Sequence, residues 1–190
     1  MARLSTSPLV TTYTLEQFWR LPDSPDRSKL ELIAGVLYMT PPPEPGHDDI
    51  VKRLIRLLTR YLLEHNDKGS LYVPRAALWR GPNTYLEPDL FYISADLEAK
   101  LDPKHRTTAD LVIEVVSPVS TIYDRNTKAD TCFALGVREL WLVDEVSGTM
   151  EIRTQATDNF ISAALFEQSQ QIQSMVFPDL DLTVAELFQD

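Results

Sequence analysis

Leu111-Val112-Ile113-Glu114-Val115-Val116-Ser117-Pro118 decides how the rest of this 190-residue chain is read. The run is short, β-branched and almost wholly apolar, as expected of a strand covered on both faces of a sheet. Glu114 interrupts it. A buried carboxylate without a partner is costly enough to take up a proton, so such groups are normally ion-paired or bound to metal. Something must meet Glu114, and a divalent cation is the leading candidate.

Downstream, a helix is expected from Ser120 or Thr121 to Leu135, closed by Gly136 at its C-cap. The strand Glu139–Asp144 follows at once, giving a βαβ unit with a right-handed crossover. Upstream, Asp89 follows Pro88 at the head of Leu90-Phe91-Tyr92-Ile93, where a proline marks a strand start or edge. Two carboxylates on neighbouring strands can hold Mg²⁺ or Mn²⁺ through oxygen, with water and substrate completing the octahedron. Lys128, on the following helix, can orient an attacking water and offset charge on a phosphorane-like transition state. Pro-Asp alone is weak, since it also occurs at Pro22-Asp23, Pro25-Asp26 and Pro178-Asp179. Only Pro88-Asp89 has β-rich sequence on both sides and a buried-strand glutamate beyond it. The chain carries no nucleophile elbow, phosphate-binding glycine loop or His-Glu-x-x-His.

The remaining segments complete an α/β pattern. Thr14-Leu15-Glu16-Gln17 is a capping box opening a short helix through Phe18 and Trp19. Glu31–Met39 reads as two strands about an Ala34-Gly35 turn, followed by a stiff proline-rich connector to Pro45. A helix from about Asp48 to Leu63 repeats apolar residues at helical period (Ile50, Val51, Leu54, Ile55, Leu57, Leu58, Tyr61, Leu62). Its other face carries Lys52, Arg53, Arg56 and Arg60, read as either a solvated face or a stripe contacting nucleic-acid phosphates. Leu71–Trp79 and Tyr85–Ile93 are β-rich about Gly81-Pro82-Asn83, and Ser94–Thr108 is a polar connector. Thr149–Arg153 and Phe160–Phe166 are expected as antiparallel strands, and Val184–Phe188 as a closing helix. No repeat or linker divides the chain, so residues 1–190 are expected to form one domain. Trp19, Trp79 and Trp141 are read as core, and His65 and His105 as exposed.

The totals narrow the function classes. No apolar run approaches the ~20 residues of a membrane span, and no secretory leader is evident. A single cysteine, Cys132, excludes an internal disulfide and a cysteine-rich zinc site, so a reducing cytoplasm is the expected compartment. A net charge of −10 opposes non-specific coating of nucleic acid. Residues 139–190 hold ten acids against one base, however, so the rest is nearly balanced and leaves room for a basic face.

Pro88-Asp89 followed by Glu114 within Val-Ile-Glu-Val-Val-Ser-Pro resembles the PD-(D/E)XK nuclease superfamily. More closely, the chain resembles the Uma2 group of restriction-endonuclease-like proteins, also called DUF820. The likeness includes Glu31-Leu32-Ile33-x-Gly35-Val36, His47 ahead of the amphipathic helix, Glu87-Pro88-Asp89-Leu90, Asp124-x-x-x-Lys128 and Gly136-Val137-x-Glu139-Leu140-Trp141-Leu142-Val143-Asp144. It implies a restriction-endonuclease-like core, a mixed central β-sheet flanked by helices. It also implies a Mg²⁺- or Mn²⁺-dependent DNA endonuclease. By the resemblance, Asp89 and Glu114 are metal ligands joined by the carbonyl of Val115, and Lys128 is the catalytic lysine. In the superfamily pattern the lysine stands two residues after the glutamate, where this chain has Val116. Lys128 matches members whose lysine has moved to the next helix.

Each assignment has a plainer rival. Asp89 can cap a strand, Glu114 can pair with an arginine or lysine, and Lys128 can form an exposed i,i+4 ion pair with Asp124. Glu31 is an accessory acid or simply starts a strand, and His47 meets substrate or caps its helix. The alternative function is a binding or regulatory module that keeps the nuclease fold without turnover. A nuclease acting on RNA or on modified or structured DNA is a third reading. Many nucleases of this fold act as dimers, because two strands need two sites. A homodimer is thus one expected arrangement.

Overall fold

A computed structural model describes residues 11–24, 26, 28–117, 123–156 and 160–189. Pro118 and the expected helix start at Ser120 or Thr121 lie outside the described residues. In chain order the elements are α1 (Leu15–Phe18), β1 (Lys29–Ile33), β2 (Val36–Thr40), α2 (Pro45–Glu64), β3 (Ser70–Tyr72), β4 (Leu78–Arg80), β5 (Thr84–Leu86), β6 (Leu90–Ile93), α3 (Ala95–Glu98) and β7 (Leu111–Val116). There follow a π-helical turn (Tyr123–Lys128), α4 (Ala129–Ala134), β8 (Glu139–Asp144), β9 (Thr149–Gln155), β10 (Ile161–Phe166) and a 3₁₀ turn (Val184–Leu187).

Two sheets organise the molecule. A six-stranded sheet runs β10-β9-β8-β7-β6-β3 and a four-stranded one β2-β1-β5-β4. The larger is mixed: β7 and β8 pair in parallel, and the other pairs are antiparallel. All six residues of β7 are buried, as its composition requires. Strand alternation then divides them. Leu111, Ile113 and Val115 enter the core built on α2. Val112 and Val116 enter a second core with α4 and, from the smaller sheet, Ile33, Leu78 and Leu86. Glu114 has the parity of Val112 and Val116, so it faces the layer between the two sheets.

Local chemistry explains most boundaries. Thr14 accepts from the Gln17 N–H and Gln17 answers to Thr14, completing the capping box of α1. The β1–β2 turn holds Ala34 and Gly35 at φ 49° and 85°, the paired left-handed residues that suit a two-residue hairpin. Beyond α4, Gly136 adopts φ 93°. Its N–H donates to Phe133 and that of Val137 to Cys132, which is a Schellman closure. No helix among the described residues is long and apolar enough to cross a membrane.

Several expectations need correction. The second helix begins at Pro45 rather than Asp48. A proline is tolerated in the first helical turn, where its missing N–H has no intrahelical partner anyway, so the stiff connector is shorter than expected. The runs 71–79 and 85–93 each split in two. β4 and β5 form a hairpin in the smaller sheet, while β3 and β6 join the larger one, with Pro74 and Pro88 between the halves. The helix before Gly136 starts as a π turn, and the closing helix is 3₁₀. Trp141 is fully buried, but Trp19 is 55 % exposed.

Candidate active site

The register of β6 on β7 sets Leu90 against Ile113. Continued by one residue, it sets Asp89 against Glu114, and side chains opposite each other on antiparallel strands share a face. The Val115 N–H donates to Asp89 Oδ2 over 2.9 Å. A strand residue directs its N–H and C=O toward the same neighbour, so the Val115 carbonyl also lies on the Asp89 side. His47, in the first turn of α2, places Nε2 3.0 Å from the same Oδ2. Lys29 lies 3.5 Å from Oδ1 and donates to the Glu87 carbonyl over 2.9 Å. Burial works against charge on Asp89, yet the bond to His47 and the nearby Lys29 ammonium hold its pKa well below the usual carboxylate range. For His47, burial opposes the proton and Asp89 overrides it, so its pKa is raised.

Lys128 closes the other side. Its ammonium is 2.7 Å from Glu114 Oε1 and 3.1 Å from Glu31 Oε1. All three side chains are at most 2 % exposed. The 2.7 Å contact is ionic, and neither Lys128 Nζ nor Glu114 Oε1 completes a hydrogen bond among the described residues. Burial disfavours the charge on Lys128, but Glu114 and Glu31 hold its pKa well above the ordinary value. Burial pushes Glu114 up against the pull of Lys128, with Asp89 adding to the push. Glu31 is fixed by the Glu87 N–H at 2.7 Å and the Tyr123 hydroxyl at 3.0 Å. The acids thus come from both sheets and the lysine from the π turn.

That turn is anchored from outside. Arg125 donates to Asp144 Oδ2 on β8 over 2.9 Å and also pairs with Glu151 on β9. Arg153 donates to Glu151 and to the Arg125 carbonyl, each over 2.6 Å. Asp124 and Lys128 are both buried, which corrects the reading of an exposed helical ion pair.

Asp89, Glu114, Val115, His47 and Lys29 line one cavity of about 1080 Å³. Among the described residues, no three His, Cys, Asp or Glu side chains form a ready-made metal cage. A hard divalent cation needs only one or two carboxylates, because it keeps several waters and takes oxygens from its substrate. The facing pair Asp89 and Glu114, with the Val115 carbonyl alongside, fits that demand. The basic stripe stands apart, for none of its four residues lines the cavity. Lys52 pairs with Asp49 at 2.6 Å, Arg53 reaches the Leu187 carbonyl, and Arg56 and Arg60 border a separate groove. Sequence reasoning missed Lys29, Glu87 and Tyr123. Lys29 left a signal, standing two residues before Glu31 on the same strand face, and Glu87 stood inside the Glu87-Pro88-Asp89-Leu90 stretch of the likeness.

A family model described as "Uma2: Putative restriction endonuclease" matches residues 15–185. No curated protein matches. Among crystal structures, one of a putative nuclease belonging to DUF820 from Anabaena variabilis is similar at a TM-score of 0.75. It is 18 % identical, with 93 % of this chain and 97 % of that one covered. At that identity the likeness establishes the shared fold, a mixed sheet flanked by helices.

Proposed function

The chain belongs to the Uma2 family, described as putative restriction endonucleases, and on that premise we propose that it is a metal-dependent DNA endonuclease. Asp89, Glu114 and the Val115 carbonyl would hold Mg²⁺ or Mn²⁺, which when bound polarises the scissile phosphate and lowers the pKa of water. The remaining work falls to the chain itself. His47 and the Val115 N–H fix the Asp89 carboxylate from two directions. Lys128, held charged between Glu114 and Glu31, positions the attacking water and offsets the charge that grows on the phosphate oxygens. The water oxygen bonds to phosphorus as the bond to the leaving sugar oxygen breaks; the water gives its proton to solvent, and the leaving oxygen takes one up from solvent. Both sheets supply acids to this site, which supports reading residues 1–190 as one domain. A cytoplasmic location and a homodimer go with the same reading.

The observation that carries the proposal is the cross-strand setting of Asp89 against Glu114, with an ammonium 2.7 Å from the latter. A plasmid-nicking assay with Mg²⁺ or Mn²⁺ tests it. Glu114→Gln is expected to abolish cleavage while the circular dichroism spectrum is unchanged, and equal activity in that variant overturns the assignment. The second reading, a nuclease-fold binding module, draws on Lys128 and the −10 net charge. The ion pair can satisfy Glu114 without any metal. Absence of cleavage with either ion, together with absence of metal binding by calorimetry, would put that reading ahead.

A further inference from the structure

The cavity holding Asp89 and Glu114 is also lined by Phe18, Trp19 and Tyr85. Trp19 is 55 % exposed yet held in place, edge-on to Trp79 at 5.3 Å, and Trp79 in turn stacks on His105 at 3.7 Å. Phe18 packs on Tyr85 at 4.9 Å. Trp19 thus combines a ring held by Trp79 with open surface on the cavity wall. Arg75 also lines the cavity; it sits at φ 74°, with its guanidinium 3.2 Å from Glu87 and its side chain 70 % exposed. Against Arg75 and Lys29, the walls carry the carboxylates of Asp23, Glu44, Asp48 and Glu145.

Those charges bear on the form of substrate. A duplex brings two rows of phosphates and draws its affinity from neutralising them, which this acidic surround disfavours. Its bases are also stacked on each other and offer no face to Trp19. Unpaired bases do, and stacking on aromatic side chains is tolerant of sequence because every base has a π-face; a single strand also brings one row of phosphates where a duplex brings two. The volume of about 1080 Å³ exceeds the usual ~300–1,000 Å³ of small-molecule pockets. It has room for more than one nucleotide.

We infer that the site acts on single-stranded or locally unpaired nucleic acid, with a base stacked on Trp19 and a neighbouring phosphate met by Arg75. The inference rests on the nuclease reading and names its substrate class. The test uses the full chain and a fluorescent DNA oligonucleotide, single-stranded or annealed, with Ca²⁺ replacing Mg²⁺ so that binding is measured without turnover. The single strand is expected to bind at least tenfold more tightly than the duplex. Trp19→Ala should weaken single-strand binding by about tenfold and leave the duplex unchanged, whereas Trp19→Phe should restore most of the loss. Duplex binding as tight as single-strand binding, or equal behaviour of the Ala and Phe variants, overturns the inference. A separate Mn²⁺ cleavage assay keeps the two readings apart. Cleavage confined to duplex sinks the substrate class and leaves the nuclease; single-strand binding through Trp19 without cleavage supports the stacking site and sinks the nuclease.

Discussion

Replacing Lys128 by Met keeps the volume of the side chain and removes its charge. The ammonium sits 2.7 Å from Glu114 and 3.1 Å from Glu31, with all three groups at most 2 % exposed. Removing one partner of a buried ion pair typically costs ~3–5 kcal/mol, because the other charge stays buried without compensation. In a chain of 190 residues, that loss lowers Tm by about 6–20 °C. Glu114→Gln is the milder change, at ~1–3 kcal/mol, because Lys128 retains Glu31. The double variant removes both charges at once, while Glu31 keeps its bonds to the Glu87 N–H and the Tyr123 hydroxyl. It should therefore be more stable than Lys128→Met alone. Urea unfolding of the four proteins measures the coupling, expected to exceed ~1.5 kcal/mol. A loss below ~1 kcal/mol in Lys128→Met, or strictly additive singles, would refute the idea that the ion triad is a structural necessity as well as a catalytic one.

Arg125→Ala should lower turnover several-fold with metal affinity unchanged, because Arg125 fixes the π turn bearing Lys128 to Asp144 and Glu151; single-turnover kinetics set beside calorimetric metal titration check this. Asp144 gives a pH prediction. Burial opposes its charge, but the Ser147 and Val146 N–H groups and Arg125 hold its pKa below the ordinary value. A depressed folded pKa means stability that is fully present above the unfolded pKa of about 3.9 and lost as pH falls through the folded pKa. Melting temperatures between pH 3 and pH 6 should thus drop less steeply in Asp144→Asn than in the unaltered protein, and parallel curves would show that Asp144 contributes nothing to the acid limb.

Much of the fold was legible because its strongest patterns are local. The β-branched run at 111–116, the helical period from Ile50 to Leu62 and the Ala34-Gly35 turn all appear as the elements they suggest. Asp89, Glu114 and Lys128 were also legible, through one proline, one misplaced charge and a family likeness. What escaped was non-local. Nothing in residues 71–93 says that the inner two strands go to one sheet and the outer two to the other, since each short piece is equally β-prone. Tyr123 and Glu87 serve the site through bonds to Glu31, which lies 92 and 56 residues away. The π turn was invisible because the same residues suit an ordinary helix. It widens where Lys128 must reach the buried acids, in keeping with the frequent appearance of such turns at functional sites. Trp19 was misread because a lone indole in an amphipathic turn is usually core, and only the surrounding fold leaves it open.

Because Lys128 grips one acid from each sheet, it works as a clasp across the seam between them. Any breathing motion that parts the two layers must first tear an ammonium from two carboxylates, with no water at hand to soften the separation. The chemistry proposed for Lys128 and the cohesion of the two sheets would therefore fail together.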